Sequence, residues 1–278
     1  VDQFQSFLQA IIFVLKNSKS KNSLYFCSDQ MAIVPILLNR KVLFYSHHNY
    51  YEKMNLSIKE RLLKKIIIKI IQKSFIVIST SHFNKSFVQK YRKENVKVIY
   101  PYFKCPEGFN LVKNKKYDLR NSSKKIKLLM LGVVDYRKYR FLLNKKLSDN
   151  ISITVIGKIV DKSIAEELNK YKNVSFQGYV KHINFEDYDI LLNLSINDNI
   201  PAVIPEAISS GIPVISRNVG GSSEIITPST GIILKDKQMI EFLRHGFLDL
   251  DFSFNNCNYK FYRNDESIDF VRKILTLK

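Results

Sequence analysis

The sequence predicts an α/β protein of two doubly wound, Rossmann-like domains, whose parallel sheets face each other across a cleft. Three observations lead to this prediction. Short β-branched runs alternate with helical stretches along almost the whole chain of 278 residues. Nearly all of these runs are continuously apolar, as strands buried on both faces should be. The separations leave room for a crossover helix between successive strands, which favours right-handed parallel connections.

Ten runs are predicted to form strands, in two groups. The first group is Ser23–Cys27, Val42–Ser46, Phe75–Thr80 and Val96–Tyr100. The second group is Lys125–Gly132, Ile151–Gly157, Val174–Tyr179, Asp189–Ser195, Pro213–Arg217 and Gly231–Leu234. Between them, the polar stretch Lys113–Lys125 has no apolar period and is predicted to be an interdomain linker. We therefore divide the chain into residues 1–115, residues 116–260 and a C-terminal helix at 261–278, whose packing back on the first domain is a hypothesis.

Composition excludes several classes of protein. The three cysteines, Cys27, Cys105 and Cys257, form no C-x-x-C pair, which argues for a reduced compartment and against a disulfide framework or a zinc site. No apolar stretch approaches the ~20 residues needed to span a bilayer. The first helical run, Phe4–Leu15, lacks a basic leader and is not typical of a signal peptide. We expect a cytoplasmic protein with no bound metal and no cofactor.

The formal net charge of +19 indicates an anionic partner. Much of the excess lies in Lys59–Lys73, a predicted helix that begins at a capping box formed by Ser57 and Glu60. Its six basic residues are interleaved with apolar residues that predict one buried face, including Leu62, Leu63, Ile66, Ile67, Ile70 and Ile71. Two interpretations stay open: a surface helix with solvated lysines, or a helix that attracts anionic lipid headgroups on the inner face of the membrane. Nucleic acid is not expected as a partner, because no basic–aromatic ladder accompanies the charge.

In doubly wound sheets, ligands bind at the carboxyl ends of the strands, near helix N-termini. Four strand-to-helix turns of the second domain carry unusual residues: Gly132–Lys138, Gly157–Lys158, Gly178 and the long segment Ser195–Glu224. The last is the densest, with Asp198 in a loop after a buried strand and a helix predicted from about Ala202. The free amides of that helix would hold a phosphate, and Glu206, one turn into the helix, could accept hydrogen bonds from sugar hydroxyls.

Each part of this segment also has a plain structural interpretation. Asp198 could be a turn former, Glu206 a solvated helix residue, and Gly220–Gly221 an ordinary loop. The coincidence of all of them in one segment favours a ligand site.

The run Asp198–Glu224, DNIPAVIPEAISSGIPVISRNVGGSSE, resembles the donor-site signature of the family 4 glycosyltransferases, which are retaining enzymes of GT-B fold. Asp198 takes the first acid position of the E-x7-E pattern, and Glu206 takes the second. The turn from Gly132 to Arg137 and Lys138 resembles the one whose basic residues grip the donor diphosphate. Val174–Gly178 resembles the strand beside the base, and Ser81 is placed to cap the helix after Phe75–Thr80.

The resemblance implies roles for individual residues and a nucleotide-diphosphate sugar as co-substrate. Three residues would be catalytic: Asp198 near the transferred sugar, Lys138 against the charge of the leaving diphosphate, and His47 facing the donor sugar, with His48 as the alternative. Donor-binding residues would be Glu206, on the ribose hydroxyls, and Arg137, Gly132, Gly178, Ala202, Val203, Ile204, Gly220, Gly221 and Glu224. The acceptor would be a glycan or lipid-linked molecule in surface polysaccharide or lipopolysaccharide synthesis.

The sequence departs from the family pattern at four places. Val133 stands where an arginine usually follows the glycine, and Asp198 replaces the usual glutamate. The run Ile99–Tyr102 lacks the usual Asn-Gly, and no glycine-rich first strand–turn–helix precedes Val1. The first domain is therefore expected to be truncated at its N-terminus. Two rival functions stay open: a non-catalytic nucleotide-sugar binder of the same fold, and a sugar-nucleotide epimerase that releases free sugar.

Overall fold

The computed structural model of the protein describes residues 7–16, 24–28, 30–47, 57–101, 115–118, 125–247 and 251–254. The described residues divide into two compact units, 7–101 and 115–254. His48 and the predicted C-terminal helix at 261–278 lie outside the described residues.

The first unit contains four parallel strands in the spatial order β1-β2-β3-β4. Its elements are α1 (Phe7–Lys16), β1 (Leu24–Cys27), α2 (Ile33–Leu37), β2 (Lys41–Ser46), α3 (Ile58–Lys73), β3 (Ile76–Ser79), α4 (His82–Val88) and β4 (Val96–Val98). A short 3-10 helix, Gln30–Ala32, leads into α2.

Helix α3 supplies much of the core of the first unit. The capping box is confirmed: Glu60 N donates to Ser57 Oγ at 3.3 Å, and Ser57 N donates to Glu60 Oε2 at 2.9 Å. Ile67, Ile70 and Ile71 are buried in a cluster with Val42 and Phe44 of β2 and Val77 of β3. The prediction for Leu62 was wrong, because its side chain is 60% exposed on the opposite side of the helix.

The second unit contains a six-stranded, fully parallel sheet in the order β11-β10-β9-β6-β7-β8. The strands of the whole unit are β5 (Lys115–Asp118), β6 (Ile126–Leu131), β7 (Ile151–Ile156), β8 (Val174–Gly178), β9 (Ile190–Asn193), β10 (Val214–Arg217), β11 (Gly231–Leu234) and β12 (Asp251–Phe254), of which β5 and β12 lie outside the six-stranded sheet. Its helices are α5 (Tyr136–Tyr139), α6 (Lys162–Asn169), α7 (Val203–Ser209), α8 (Ser222–Ile225) and α9 (Asp236–His245).

Both faces of the large sheet are covered. Leu128 and Met130 of β6 belong to one buried cluster, and Leu129 and Leu131 belong to another on the opposite face. This is the burial that the continuous apolar runs predict, and all ten predicted strands are present with small differences at their ends. The prediction of two parallel-sheet α/β domains is confirmed.

Part of the stretch that the sequence predicts to be an interdomain linker, Lys113–Lys125, forms a strand. Lys115–Asp118 forms β5, which pairs antiparallel with β12 at the other end of the unit. The strand is too polar to be recognised as an apolar run in the sequence. It forms through pairing with β12, which lies far along the chain.

Within the described ranges, no helix is both long and apolar enough to cross a bilayer.

Candidate functional site

The candidate site lies where the winding of the large sheet reverses. From the central strand β6 the chain moves outward to β7 and β8, and then crosses back to β9, β10 and β11 on the other side. In doubly wound sheets, ligands bind at the carboxyl edge at such a reversal point, which here lies between β6 and β9. The predicted residues Arg137 and Lys138 follow β6, and Asp198 follows β9.

The loop after β6 is shaped by Gly132 and Asp135. Gly132 has a φ of 111°, and a Cβ there would collide with the Lys138 ammonium, which lies across the strand end and donates to Leu131 O at 3.2 Å. Asp135 caps α5 by accepting from the backbone N–H of Lys138 at 2.9 Å. The glycine and the cap together hold Lys138 over the carboxyl end of β6.

Arg137 connects the two loops. Its Nη1 donates to Asp198 Oδ2 at 3.1 Å and to Asn197 O at 3.0 Å, and its own carbonyl accepts from Ile196 N at 2.9 Å. Three contacts from one residue fix the start of the loop after β9. The structure therefore brings the predicted residues Arg137 and Asp198 together as an ion pair.

The far end of the same loop is held by the double glycine. Gly221 N donates to Asn199 O at 2.6 Å. Gly220 has a φ of 54°, and a Cβ on it would overlap Asp198 O and lie 2.8 Å from Asn199 O. The absence of a side chain at Gly220 thus lets the backbone of the Asp198 loop approach closely. Gly220 therefore helps to position that loop.

Helix α7 starts directly after this loop. Ala202 is its N-cap residue, without a side-chain cap among the described residues, and the first-turn residues Val203 and Ile204 follow the loop directly in the chain. Ile204 N donates to Pro201 O at 3.1 Å and is therefore already used within the protein. Glu206 lies in the first turn and is exposed.

Opposite charges influence one another across the site. Burial lowers the pKa of Lys138, and the nearby carboxylate of Asp198 partly offsets this effect. Partial desolvation raises the pKa of Glu206 although the residue is exposed, and the charge of Lys138 partly offsets that shift. The opposite charges of Lys138 and Glu206 therefore influence each other's pKa.

The other predicted site residues are more scattered. Gly178 ends β8 with a φ of 69° and open space around it, and Glu224 lies in the first turn of α8. His47 belongs to the first unit, directly after β2, where its ring stacks on Tyr45 at 5.5 Å and its Nδ1 lies 3.5 Å from Tyr45 O. The role of His47 stays a prediction.

Arg217 at the end of β10 is a residue that the sequence analysis missed. Its guanidinium forms two hydrogen bonds with Asp236, at 2.9 and 3.0 Å, donates to Ser195 O at 3.2 Å and lies over the ring of Phe141. It thereby joins the ends of β9 and β10 to α9. No sequence signal identifies it, because its partners are 19 or more residues away.

No group of three or more histidine, cysteine, aspartate or glutamate residues that could hold a metal ion occurs in the part of the chain that the structure describes.

The comparison with protein families agrees with this geometry. Residues 112–245 match the family model of the glycosyl transferases group 1. The match covers just under half of the chain and includes the loops after β6 and β9, the double glycine and α7. It supports the predicted resemblance at the level of group 1, and the narrower assignment to family 4 stays a prediction.

A curated relative is similar to part of the chain. Protein CapJ of Staphylococcus aureus is 28% identical over 144 residues, which is 46% of this chain. The matched stretch spans only 35% of the length of that relative.

Solved structures show the same fold. Anabaena HepE, crystallised with UDP and glucose, has a TM-score of 0.63 and 14% identity, over 86% of this chain and 74% of its own. The lipopolysaccharide outer core galactosyltransferase WaaB has a TM-score of 0.63 and 15% identity, over 87% of this chain and 70% of its own. These likenesses show a GT-B fold, as the sequence predicts.

Proposed function

We propose that this protein is a glycosyltransferase that moves a sugar from a nucleotide-diphosphate sugar to a glycan or lipid-linked acceptor. The observation that carries the proposal is the grouping of Lys138, Arg137 and Asp198 at the reversal point of the sheet, inside the segment that matches the glycosyl transferases group 1. Arg137 and Asp198 come from different strands, so their contact is a product of the fold.

In this proposal, Lys138 stabilises the departing diphosphate. Breaking a glycosyl-diphosphate bond builds negative charge on the leaving phosphate, and a fixed cation lowers the energy of that transition state. The Lys138 ammonium is held over the strand end and is largely desolvated, so its electrostatic effect is stronger there than in water. Arg137 contributes by fixing Asp198 and supplying a second positive charge.

The acids have separate tasks in the proposal. Glu206 would bind the ribose hydroxyls of the nucleotide, and Asp198 would lie beside the transferred sugar. Asp198 is held at both sides of its loop, by Arg137 before it and by the contact between Gly221 and Asn199 after it. A carboxylate fixed in this way loses little entropy when a ligand binds.

The nucleotide is proposed to be UDP, since HepE binds UDP in a similar fold. The acceptor is proposed to belong to surface polysaccharide or lipopolysaccharide synthesis, which is the process named for WaaB. Retention of anomeric configuration without a catalytic metal is proposed from the resemblance to family 4.

Calorimetric titration with UDP, GDP and ADP tests the donor site. We expect one nucleotide to bind, and we expect Glu206→Ala to weaken that binding by about tenfold or more, because hydroxyl groups of the ligand lose a charged acceptor. Glu166→Ala is the matched control, since Glu166 is an exposed glutamate of α6 in the same unit. Absence of binding by all three nucleotides contradicts the proposal.

A second assay separates the enzyme from the non-catalytic alternative. Radiolabelled UDP-glucose and UDP-galactose are incubated with the protein and a total lipid extract, and the label is followed into lipid and into free sugar. Transfer to lipid supports the proposed function. Nucleotide binding without any release of UDP supports the non-catalytic binder, and release of free sugar without an acceptor supports the epimerase.

A further inference from the structure

The excess positive charge lies mainly in the first unit. Residues 1–101 contain 17 Lys and Arg against 5 Asp and Glu, whereas residues 125–247 of the second unit contain 16 against 13. The candidate site therefore does not account for the charge of +19. The helix α3 carries the densest part of the excess, with six basic residues and one acidic residue, Glu60.

The outer face of α3 combines basic and aliphatic side chains. Ile58, Leu62, Lys65, Lys69 and Lys73 follow one another at spacings of three or four residues, so they form a single stripe along the helix. This stripe lies opposite the buried residues of α3. All five of its side chains are exposed, with Ile58 at 87% and Leu62 at 60%.

The apolar end and the basic end of this stripe are separate. Ile58 and Leu62 occupy the first turns of α3, and the three lysines follow. In the part of the chain that the structure describes, no ion pair involves Lys65, Lys69 or Lys73. Glu60 is engaged in the capping box, with its carboxylate accepting from Ser57.

The topology fixes where the apolar end lies. Helix α3 connects β2 to β3, which are parallel neighbours, so it runs back across the sheet from the carboxyl edge to the amino edge. Ile58 and Leu62 are therefore at the carboxyl edge of the first sheet, the edge at which His47 follows β2. Ligands of parallel sheets bind at this edge.

We propose that the outer face of α3 docks on an anionic lipid surface, with Ile58 and Leu62 inserted among the headgroups and Lys65, Lys69 and Lys73 over the charged leaflet. Exposed aliphatic residues beside a basic stripe match a lipid interface, which has both anionic groups and an apolar interior. A nucleic acid would pair with the lysines but would leave the two aliphatic side chains in water. Docking by this face would bring the carboxyl edge of the first sheet to the lipid. The proposal does not rest on the transferase activity.

The test is sedimentation of the full chain with vesicles of phosphatidylcholine, with and without about one third phosphatidylglycerol. Binding is expected only with phosphatidylglycerol, and it should weaken as salt is raised from 0.1 M to 1 M, where the screening length falls from about 10 Å to about 3 Å. The double variant Lys65→Glu/Lys69→Glu is expected to bind at least about tenfold more weakly, because each basic residue near the leaflet strengthens binding several-fold.

The variant Ile58→Ser/Leu62→Ser tests the insertion separately. We expect it to bind about tenfold more weakly while keeping the full charge, because two aliphatic side chains are no longer buried. The control is Lys162→Glu/Lys237→Glu, which makes the same charge change on exposed residues of α6 and the second unit's α9. It should bind nearly as well as the unmodified protein.

Two outcomes overturn the proposal. One is a loss of vesicle binding in Lys162→Glu/Lys237→Glu as large as that in Lys65→Glu/Lys69→Glu, which would show a response to net charge alone. The other is binding of a random-sequence DNA duplex, tighter than to the vesicles, that Ile58→Ser/Leu62→Ser leaves unchanged. Circular dichroism melting of each variant separates loss of binding from loss of folding, and the nucleotide titration described above remains an independent test of the donor site.

Discussion

The two units use charge in different ways. In the second unit, the charged groups at the carboxyl edge of the sheet lie beside opposite partners, as in Arg137 with Asp198 and Arg217 with Asp236. In the first unit, lysines cover the outside of α3 with almost no acidic residues among them. Short-range pairs position loops, whereas an unbalanced surface acts over a distance of about one screening length. The net positive charge of the chain therefore comes mainly from the first unit and gives little information about the candidate site in the second unit.

Replacing Lys138 by methionine is expected to have the largest effect. The variant should bind UDP at least about 100-fold more weakly, since a fixed cation aimed at the phosphates is worth about 3 kcal/mol. Titration calorimetry measures the change. Lys146→Met in the same unit and Lys69→Met in α3 remove the same charge from exposed positions and should leave affinity nearly unchanged. Equal losses in all three variants would mean that total charge, rather than a local site, holds the nucleotide.

Gly220→Ala is expected to destabilise the second unit by about 3 kcal/mol, from the unfavourable φ together with the overlap with Asp198 O. Gly178→Ala provides a matched comparison, because it has a similarly positive φ of 69° but nothing within contact of the added methyl group. It should cost only about 1 kcal/mol. Urea unfolding measures both, and equal costs would show that Gly220 does not support the Asp198 loop.

Arg217→Lys is expected to destabilise the protein by about 1–2 kcal/mol, because an ammonium cannot make both hydrogen bonds to Asp236. The end of β9 would also lose a contact at Ser195 O. Arg244→Lys, at an exposed position of α9, is the control and should be nearly neutral. If thermal unfolding shows the same stability for Arg217→Lys as for the unmodified protein, the pair of Arg217 and Asp236 contributes no more than an ordinary surface ion pair.

The pH dependence of UDP binding is expected to show the smallest effect. Burial lowers the pKa of Lys138, so raising the pH removes its proton in the free protein before an ordinary lysine would titrate. Since the charged form binds the diphosphate, affinity should fall several-fold as the pH rises through that lowered pKa, with proton uptake on binding. Lys138→Arg should flatten this dependence. An unchanged profile in that variant would assign the titration to another group.

The fold could be predicted from the sequence to a large extent. Several strands of the parallel sheets are short runs of apolar residues, such as Ile190–Asn193, in which every residue is buried, and burial on both faces leaves few alternatives. The capping box at Ser57 and Glu60 was also predictable, because both of its partners lie within one turn. Strand β5 was not, because a sequence of Lys-Lys-Tyr-Asp becomes a strand only through pairing with β12.

The site could be predicted in part. The residues after β6 and β9 could be selected as candidates, since unusual residues after a buried strand are visible in the sequence, and their roles stay predictions. The contact between Arg137 and Asp198 was not predicted, because it depends on β6 and β9 being neighbours in the sheet. Leu62 was assigned to the wrong face, because it follows the apolar composition of the helix but lies on the side of α3 away from the buried Ile67 and Ile70.

The pairing of β5 with β12 brings the first and last strands of the second unit side by side, with Asp118 opposite Asp251. A domain whose first and last strands are paired tolerates domain insertion and circular permutation, in which its two ends are joined and new ends are made in a loop. A circular permutant that joins residues 251–254 to 115–118 by a short flexible linker should therefore keep the six-stranded sheet. Among its described residues, the second unit is therefore closed by a pairing between its own first and last strands.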